Sequence, residues 1–184
     1  MPILAPEPSM YPANLLDDFT GTDPDRRWWA LYTKSRQEKS LARQLGGMSV
    51  PFYLPLVQNS RMVGGRRVKS QLPLFASYMF MFSTDEERVQ ALSTDRITMM
   101  LPAPDVEDMT RDLQNIRSLI GSGVPLTVEA RLQPGRRVRV KSGSLMGVEG
   151  VILSRRGEDR LLIGVNFLQQ GVSVQIRDFQ VEPL

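Results

Sequence analysis

The sequence predicts an α+β protein in two parts: an α/β sandwich made of an antiparallel sheet with helices, then a small closed β-barrel. Strand and helix signals alternate as β-α-β-β-α-β-α over residues 26–121, which suits helices packed on one sheet. After residue 132, five short strand-like runs separated by turn residues favour a small barrel. The first barrel turn contains Gly143, Gly147 and Gly150, and glycine tolerates the positive φ of a sharp bend.

Composition excludes several classes of protein. The 184 residues are 41% hydrophobic and 23% charged, which is ordinary for a soluble domain. There is no apolar run of roughly 18 to 20 residues and no signal-peptide pattern, so we expect a cytoplasmic protein without membrane contact. Cysteine and histidine are absent, which excludes disulfides, thiolate or imidazole zinc sites and histidine-based triads. Nucleotide-binding fingerprints and paired-carboxylate motifs are also missing, so we expect no enzyme, cofactor or metal.

The first 25 residues differ from the rest of the chain. They hold five acidic residues and no basic one, while the whole chain has a net charge of +3, so the remainder carries +8. Five prolines lie in the same stretch, and proline at this density sustains neither a helix nor a sheet ladder. We therefore predict a disordered acidic tail over residues 1–25 and a basic body compatible with nucleic acid.

The first predicted strand is the aromatic run Trp28-Trp29-Ala30-Leu31-Tyr32. A helix follows, with Ser35 and Glu38 as a capping box and a Gly-Gly pair as its stop. Residues 50–72, with Gly64-Gly65 at the turn, then predict a long hairpin with a basic tip.

The next strand, residues 74–82, is rich in phenylalanine, tyrosine and methionine. Thr84 and Glu87 form a second capping box, which predicts a short helix before a strand near residues 97–101. Apolar residues at three-to-four-residue spacing then predict a third helix up to residue 121.

The remaining chain is predicted to be a linker over residues 122–132 and a barrel domain over residues 133–184. In the first barrel strand, Val138 and Val140 alternate with Arg139 and Lys141, so one face is apolar and the other cationic. The glycine spacing after it is by itself more typical of a turn than of a binding loop. The five predicted strands are residues 136–141, 149–154, 160–166, 172–176 and 179–181.

Three aromatic segments carry a family resemblance. They are Trp28-Trp29-Ala30-Leu31-Tyr32, Phe52-Tyr53-Leu54-Pro55-Leu56 and Leu72-Pro73-Leu74-Phe75-Ala76-Ser77-Tyr78-Met79-Phe80. Their order and spacing, with the glycine-spaced turn after them, resemble the NusG family of transcription elongation factors. The resemblance implies an NGN domain at residues 26–121, a flexible linker and an SH3-like KOW barrel at residues 133–184. The KOW-type motif would comprise Val138, Val140, Gly143, Gly147 and Gly150.

The resemblance also implies an aromatic surface that binds the clamp helices of the largest RNA polymerase subunit. By position, Trp28, Tyr32, Phe75 and Tyr78 would contribute to it. Aromatic anchors in a desolvated patch typically dominate interface energy. Each of the four could instead belong to the core, and the hydroxyl groups make Tyr32 and Tyr78 the better candidates for a partly wet interface.

Basic residues are candidates for nucleic-acid contacts. The resemblance implies that Lys34 and Arg36 lie beside the non-template DNA strand, the alternative being solvated charges at a helix start. The hairpin tip could contact upstream DNA or merely keep the hairpin soluble. Its basic residues are Arg61, Arg66, Arg67 and Lys69.

Departures from the family pattern point to a specialised, RfaH-like antitermination paralogue. Phe75-Ala76-Ser77-Tyr78 stands where most members have Phe-Pro-Gly-Tyr, so the bend can differ. Leu168-Gln169-Gln170 stands where general members often have Phe-Gly-Arg, which argues against binding to Rho. The many glycines after residue 140 oppose helix formation, so we predict a constitutive barrel. The predicted partner-binding residues of the barrel are Leu145, Val148, Phe167 and Leu168.

The primary functional prediction is a monomeric elongation and antitermination factor that binds RNA polymerase and recruits a ribosomal protein or RNA through its barrel. The alternative is an RNA-binding or ribosome-associated KOW protein, because nine basic and five acidic residues lie from residue 131 onward. An enzyme based on two close carboxylates is a third class. The sequence leaves open the direction of the effect on termination, the target operon and the barrel's partner.

Overall fold

The chain forms two antiparallel sheets and a separate hairpin in a computed structural model that describes residues 6–17, 23–129, 135–155, 157–165, 168–176 and 180–184. It divides into two units, Met1–Val106 and Glu107–Leu184. No helix within the described ranges is both long and apolar enough to span a membrane.

The first unit mixes strands and helices as predicted, but within its described residues four strands lie between the two helices where the predicted order had two. Its sheet has five strands in the order β1-β3-β6-β2-β7, and all neighbours are antiparallel. The elements are β1 (Met10–Tyr11), β2 (Arg27–Thr33), α1 (Glu38–Gly47), β3 (Phe52–Tyr53), β4 (Leu56–Val63), β5 (Arg66–Pro73), β6 (Tyr78–Ser83), α2 (Asp85–Leu92) and β7 (Ile97–Pro102).

One face of this sheet packs against α1. Leu41, Ala42 and Leu45 recur on one stripe of the helix and are fully buried, and they share a core with Trp29 and Leu31 of β2. Each fully buried large apolar side chain contributes about 1.5 to 3 kcal/mol relative to exposure. Alternate residues of β2 point to the opposite face, where the candidate aromatic residues lie.

Residues 6–17 of the predicted disordered tail pack on this unit instead. Its strand β1 pairs with β3, which satisfies the backbone groups of an otherwise open sheet edge. Leu16 is only 1% exposed. Glu7 forms an ion pair with Arg43 of α1 at 2.7 Å. The composition of residues 1–25 predicted disorder. It could not show that β3, more than 40 residues later, leaves a sheet edge open with which Met10 and Tyr11 pair.

Of the two predicted capping boxes, one is confirmed and one is wrong. Thr84 accepts the Glu87 N–H at 3.3 Å, and the Glu87 side chain accepts the Thr84 N–H at 3.1 Å. At α1 the cap residue is Gln37 rather than Ser35, and it makes no side-chain capping bond. The predicted box of Ser35 and Glu38 does not form, and the carboxyl group of Glu38 instead accepts a backbone N–H from a different loop.

The predicted long hairpin is present as a two-stranded sheet of its own, β4 with β5. Its register runs from Leu56 opposite Pro73 to Val63 opposite Arg66. Gly64 and Gly65 have φ of 55° and 75°, the left-handed conformation that a two-residue hairpin turn requires.

The second unit contains a helix and a six-stranded sheet in the order β13-β9-β10-β11-β12-β8. The predicted closed barrel is not confirmed, since among the described residues no pairing joins the edge strands β13 and β8. Strand β8 lies within the segment predicted as a linker and covers the edge of β12. The elements are α3 (Val106–Ser122), β8 (Thr127–Glu129), β9 (Arg136–Val140), β10 (Glu149–Arg155), β11 (Glu158–Val165), β12 (Gln170–Gln175) and β13 (Val181–Pro183).

Candidate binding surfaces

Three apolar side chains form an exposed row across the first sheet. Tyr78 of β6, Tyr32 of β2 and Met99 of β7 are direct cross-strand neighbours. Tyr32 is 37% exposed, Met99 is 46% exposed and Tyr78 is half-buried. The two tyrosine rings lie 5.0 Å apart between centroids, tilted by 54°. This exposed row combines apolar rings and a methionine side chain with tyrosine hydroxyl groups that can bind water. Protein interfaces commonly have this combination.

The other two predicted interface aromatics are buried. Trp28 is 0% exposed and Phe75 is 1% exposed. Trp28 packs against Phe82 with ring centroids 5.1 Å apart, and Phe75 meets Phe80 edge-on at 6.4 Å. Direct partner contact by these two stays a prediction, and in this conformation they can act only as support for the face that carries the exposed row.

Met99 was missed by sequence reasoning. A methionine in a short strand is typical of a core position, and its exposure depends on the register between β7 and β2. That register shifts between Tyr32 and Thr33, and such irregularities re-aim side chains next to functional sites. The alternation within β7 predicts which side chains share a face of the sheet, but not whether other residues bury that face.

The turn before Tyr78 keeps a glycine-like conformation without a glycine. Ser77 has φ of 64°, which non-glycine residues rarely adopt. Its carbonyl accepts the Thr33 N–H at 2.8 Å, and its own N–H donates to Glu38 at 2.7 Å. Tyr78 N–H donates to the Phe75 carbonyl at 3.1 Å and closes the turn. The bend is therefore fixed by hydrogen bonds from two other elements.

Three left-handed, non-glycine residues lie in the loops at this end of the sheet. They are Arg36, Ser77 and Asp95, with φ of 59°, 64° and 56°. Each such residue costs of order 1 to 3 kcal/mol, and such strain tends to collect at functional sites. These three strained residues lie at the end of the sheet that carries the exposed row.

The two predicted nucleic-acid contacts at this end differ in their charge environment. The Lys34 ammonium group binds Asp95 at 2.9 Å, with the lysine side chain 51% exposed. Arg36 is exposed, and within the described ranges no ion pair involves it. An exposed ion pair contributes little stability but offsets part of the lysine charge. Arg36 is therefore the more available cation.

The hairpin carries four exposed cations and no acidic residue. Its register places Arg61 and Arg66 on one face and Arg67 and Lys69 on the other. Arg67 and Lys69 lie two residues apart on one strand, about 6.8 Å, whereas Arg61 and Arg66 are diagonal neighbours on the two strands, roughly 7 to 8 Å apart. Each face therefore holds two closely spaced charges. No ion pair to these four occurs among the described residues, which leaves them available for phosphates.

The glycine-spaced motif of the second unit is explained by its backbone. Val138 and Val140 are buried, at 0% and 1% exposed. Gly143 and Gly147 both have φ of 87°, and a Cβ on Gly150 would lie 2.5 Å from a backbone oxygen of β11. All three glycines are therefore required by the turn or by close strand approach.

The predicted partner-binding residues of the second unit are largely covered. Leu145 is 1% exposed, Val148 is 3% exposed and Leu168 is half-buried, while Phe167 lies outside the described residues. Met146, which sequence reasoning did not single out, is 71% exposed at the tip of the same turn. Its position between Gly143 and Gly147 could have predicted this exposure, because residues at the tip of a turn face solvent.

The cationic face of β9 is partly neutralised. The Arg139 guanidinium group binds Glu149 at 2.5 Å, and this hydrogen bond and charge raise the pKa of Arg139. Lys141 lies 3.8 Å from Glu182. The alternating basic residues therefore face acidic side chains of neighbouring strands rather than open solvent alone.

A cavity of about 630 Å³ in the second unit is lined by charged residues of α3 and the sheet. Arg111 binds Asp108 at 2.9 Å, and Glu149 on the sheet side binds Arg139. Among the described residues, no group of acidic side chains is arranged to hold a metal ion. Asp108 and Glu149 in this lining are thus paired with arginines, whereas the enzyme alternative requires two close carboxyl groups with raised pKa values.

Comparison with known families gives one match in keeping with this geometry. The family model described as "NusG: Transcription termination factor nusG" matches residues 26–132 of the 184. The matched segment contains β2 to β8, and hence the exposed row and the hairpin. No curated protein matches the chain.

Proposed function

The chain belongs to the NusG family of transcription factors, and we propose that it is an elongation factor that binds RNA polymerase and suppresses termination. In this proposal the protein performs no chemistry. It favours the elongating state of the polymerase because it binds that state more tightly than the paused state.

The exposed row of Tyr78, Tyr32 and Met99 is the observation that carries the proposal. It combines two aromatic rings with a flexible methionine at the exposed end of a sheet face. Such a surface fits the apolar side of a helix, because aromatic anchors give contact area and methionine adapts to irregular partners. We assign the row to the clamp helices of the largest polymerase subunit, which the family resemblance implies.

The cations on the first unit would contact DNA next to the bound polymerase. Arg36 and Lys34 follow directly after the strand that carries Tyr32. A protein docked through the row would bring these cations to nucleic acid held by the polymerase. The hairpin cations would contact phosphates of upstream DNA.

The second unit would act as a recruiting module, an SH3-like KOW domain of a specialised, RfaH-like paralogue. The support is its antiparallel strand order and the required glycines of the first turn. Exposed Met146 lies at the tip of that turn, above buried Leu145 and Val148. In this proposal Leu145 and Val148 support the turn, and Met146 contacts the recruited protein.

The alternative, an RNA-binding or ribosome-associated protein, depends on free cations in the second unit. The ion pairs of Arg139 and Lys141 reduce the charge that β9 presents to phosphate. The exposed row in the first unit would also have no purpose in that alternative. These two observations favour the polymerase-binding proposal.

The decisive test is binding to core RNA polymerase, measured by biolayer interferometry. Tyr32→Ala and Tyr78→Ala should each weaken binding about tenfold or more, since truncation of a buried aromatic anchor costs roughly 2 kcal/mol. Tyr11→Ala is the matched control, because Tyr11 is 36% exposed and lies outside the row. Equal affinities for all variants, or no binding by the intact protein, would exclude the proposal.

A transcription assay tests the direction of the effect. Single-round transcription through a terminator should give more read-through product when the protein is added. Increased termination would show that the protein acts in the opposite direction while still binding polymerase.

A further inference from the structure

Glu38 is a buried acidic residue that none of the proposed contacts uses. It is the first residue of α1 and is only 6% exposed. Burial of an acidic side chain is costly unless hydrogen bonds compensate for it. The compensating bond does not cap its own helix: Glu38 Oε1 accepts the N–H of Ser77 at 2.7 Å.

Ser77 sets the direction in which the chain enters β6, where Tyr78 lies opposite Tyr32. Its φ of 64° is unfavourable for a serine, and Tyr78 follows it directly at the start of β6. A strained conformation of this kind persists only where neighbouring groups over-determine it. Here two groups do so, the Glu38 carboxyl group on the N–H and the Thr33 N–H on the carbonyl. Glu38 acts through its side chain, whereas Thr33 acts through its backbone N–H, so a substitution can remove only the Glu38 contact.

We infer that Glu38 is a positioning residue for docking: it holds Ser77 so that the Tyr78 ring stays packed on Tyr32, ready for the partner helix. The inference rests on the proposed function of the exposed row. Pre-organised side chains bind more tightly because their ordering is not paid for on association. Without the carboxyl group, Ser77 relaxes towards the common φ below zero and Tyr78 moves away from Tyr32.

The test compares two substitutions of Glu38 with a control in the same helix. Glu38→Ala removes the acceptor, whereas Glu38→Gln keeps an oxygen at the same place. Ala42→Gly weakens α1 at a buried position without touching the turn. At a temperature where all variants are folded, Glu38→Ala should bind core polymerase about tenfold more weakly, and the other two should stay within about twofold of the intact protein.

Tyrosine NMR gives a readout that does not depend on polymerase. The chain has four tyrosines, so labelling that residue type gives few ring signals to assign. The intact protein and Glu38→Gln should show a cross-peak between the rings of Tyr32 and Tyr78, and Glu38→Ala should lose it. A cross-peak retained in Glu38→Ala would overturn the inference.

Binding results separate the inference from the proposed function. If the intact protein binds polymerase and Glu38→Ala binds it as well as Ala42→Gly does, the proposed function stands and the inference is wrong. If the intact protein does not bind polymerase, the proposed function is wrong and the docking role of Glu38 fails with it.

Discussion

Arg26 and Glu87 form a two-bond ion pair that joins the segment entering β2 to the first turn of α2. The guanidinium nitrogens lie 2.8 and 2.7 Å from the two carboxylate oxygens, and both side chains are about four-fifths buried. Glu87 also completes the capping box with Thr84. A single carboxylate thus stabilises a helix start and fixes that helix to the chain that leads into β2.

Glu87→Ala should therefore destabilise the first unit by about 2 kcal/mol, because it removes charge-assisted hydrogen bonds and half of a capping box. The control is Glu86→Ala, an exposed residue in the same helical turn, which should cost less than about 0.5 kcal/mol. Urea unfolding followed by circular dichroism measures both. Equal midpoints for the two variants would contradict this account of the ion pair.

Gly150→Ala should disrupt the second unit. A Cβ there would lie 2.5 Å from the backbone oxygen of Leu162, and a backbone atom cannot move aside cheaply. We expect a loss of about 2 kcal/mol or more, measured as a lower urea midpoint. Gly121→Ala is the control, because nothing lies within 4 Å of its Cβ position and alanine favours the helix. A Gly150→Ala variant as stable as the control would show that the two strands are not so closely packed.

The hairpin cations should dominate DNA binding by the protein alone. The double substitution Arg67→Gln and Lys69→Gln removes both charges of one hairpin face. The slope of log affinity against log salt should fall by about 2, roughly one for each lost phosphate contact. Fluorescence anisotropy with duplex DNA at several salt concentrations measures it.

The matched control is the double substitution Arg139→Gln and Lys141→Gln in the second unit. Because Glu149 and Glu182 already face these two cations, the salt slope should change little. A larger change in the control than in the hairpin variant would favour the RNA-binding alternative.

The sequence predicted the elements that depend on local signals. The Thr84 capping box, the Gly64-Gly65 turn and the aromatic strand starting near Trp28 each follow from neighbouring residues, and all three are present. The predictions that fail or stay unconfirmed depend on long-range pairing. Glu38, the predicted capping partner of Ser35, instead binds Ser77, 39 residues away. The barrel is not confirmed because closure depends on two edge strands far apart in sequence.

The candidate site was predictable only in part for the same reason. The hydroxyl groups favoured Tyr32 and Tyr78 as the interface candidates, and these two are more exposed than Trp28 and Phe75, while their role at an interface stays a prediction. Burial of Trp28 and exposure of Met99 depend on what covers each position of the face, and strand alternation does not contain that information.

The N-terminal segment should stabilise the first unit although it lies outside the matched family segment. Leu16 is 1% exposed while its neighbour Leu15 is half-buried, so Leu16→Ala should cost about 2 to 3 kcal/mol and Leu15→Ala clearly less. The Leu16 variant should also release β1 from β3, leaving a sheet edge prone to self-association. Urea unfolding and sedimentation velocity measure the two effects. If both leucine variants are as stable and as monomeric as the intact protein, the segment contributes nothing to the fold.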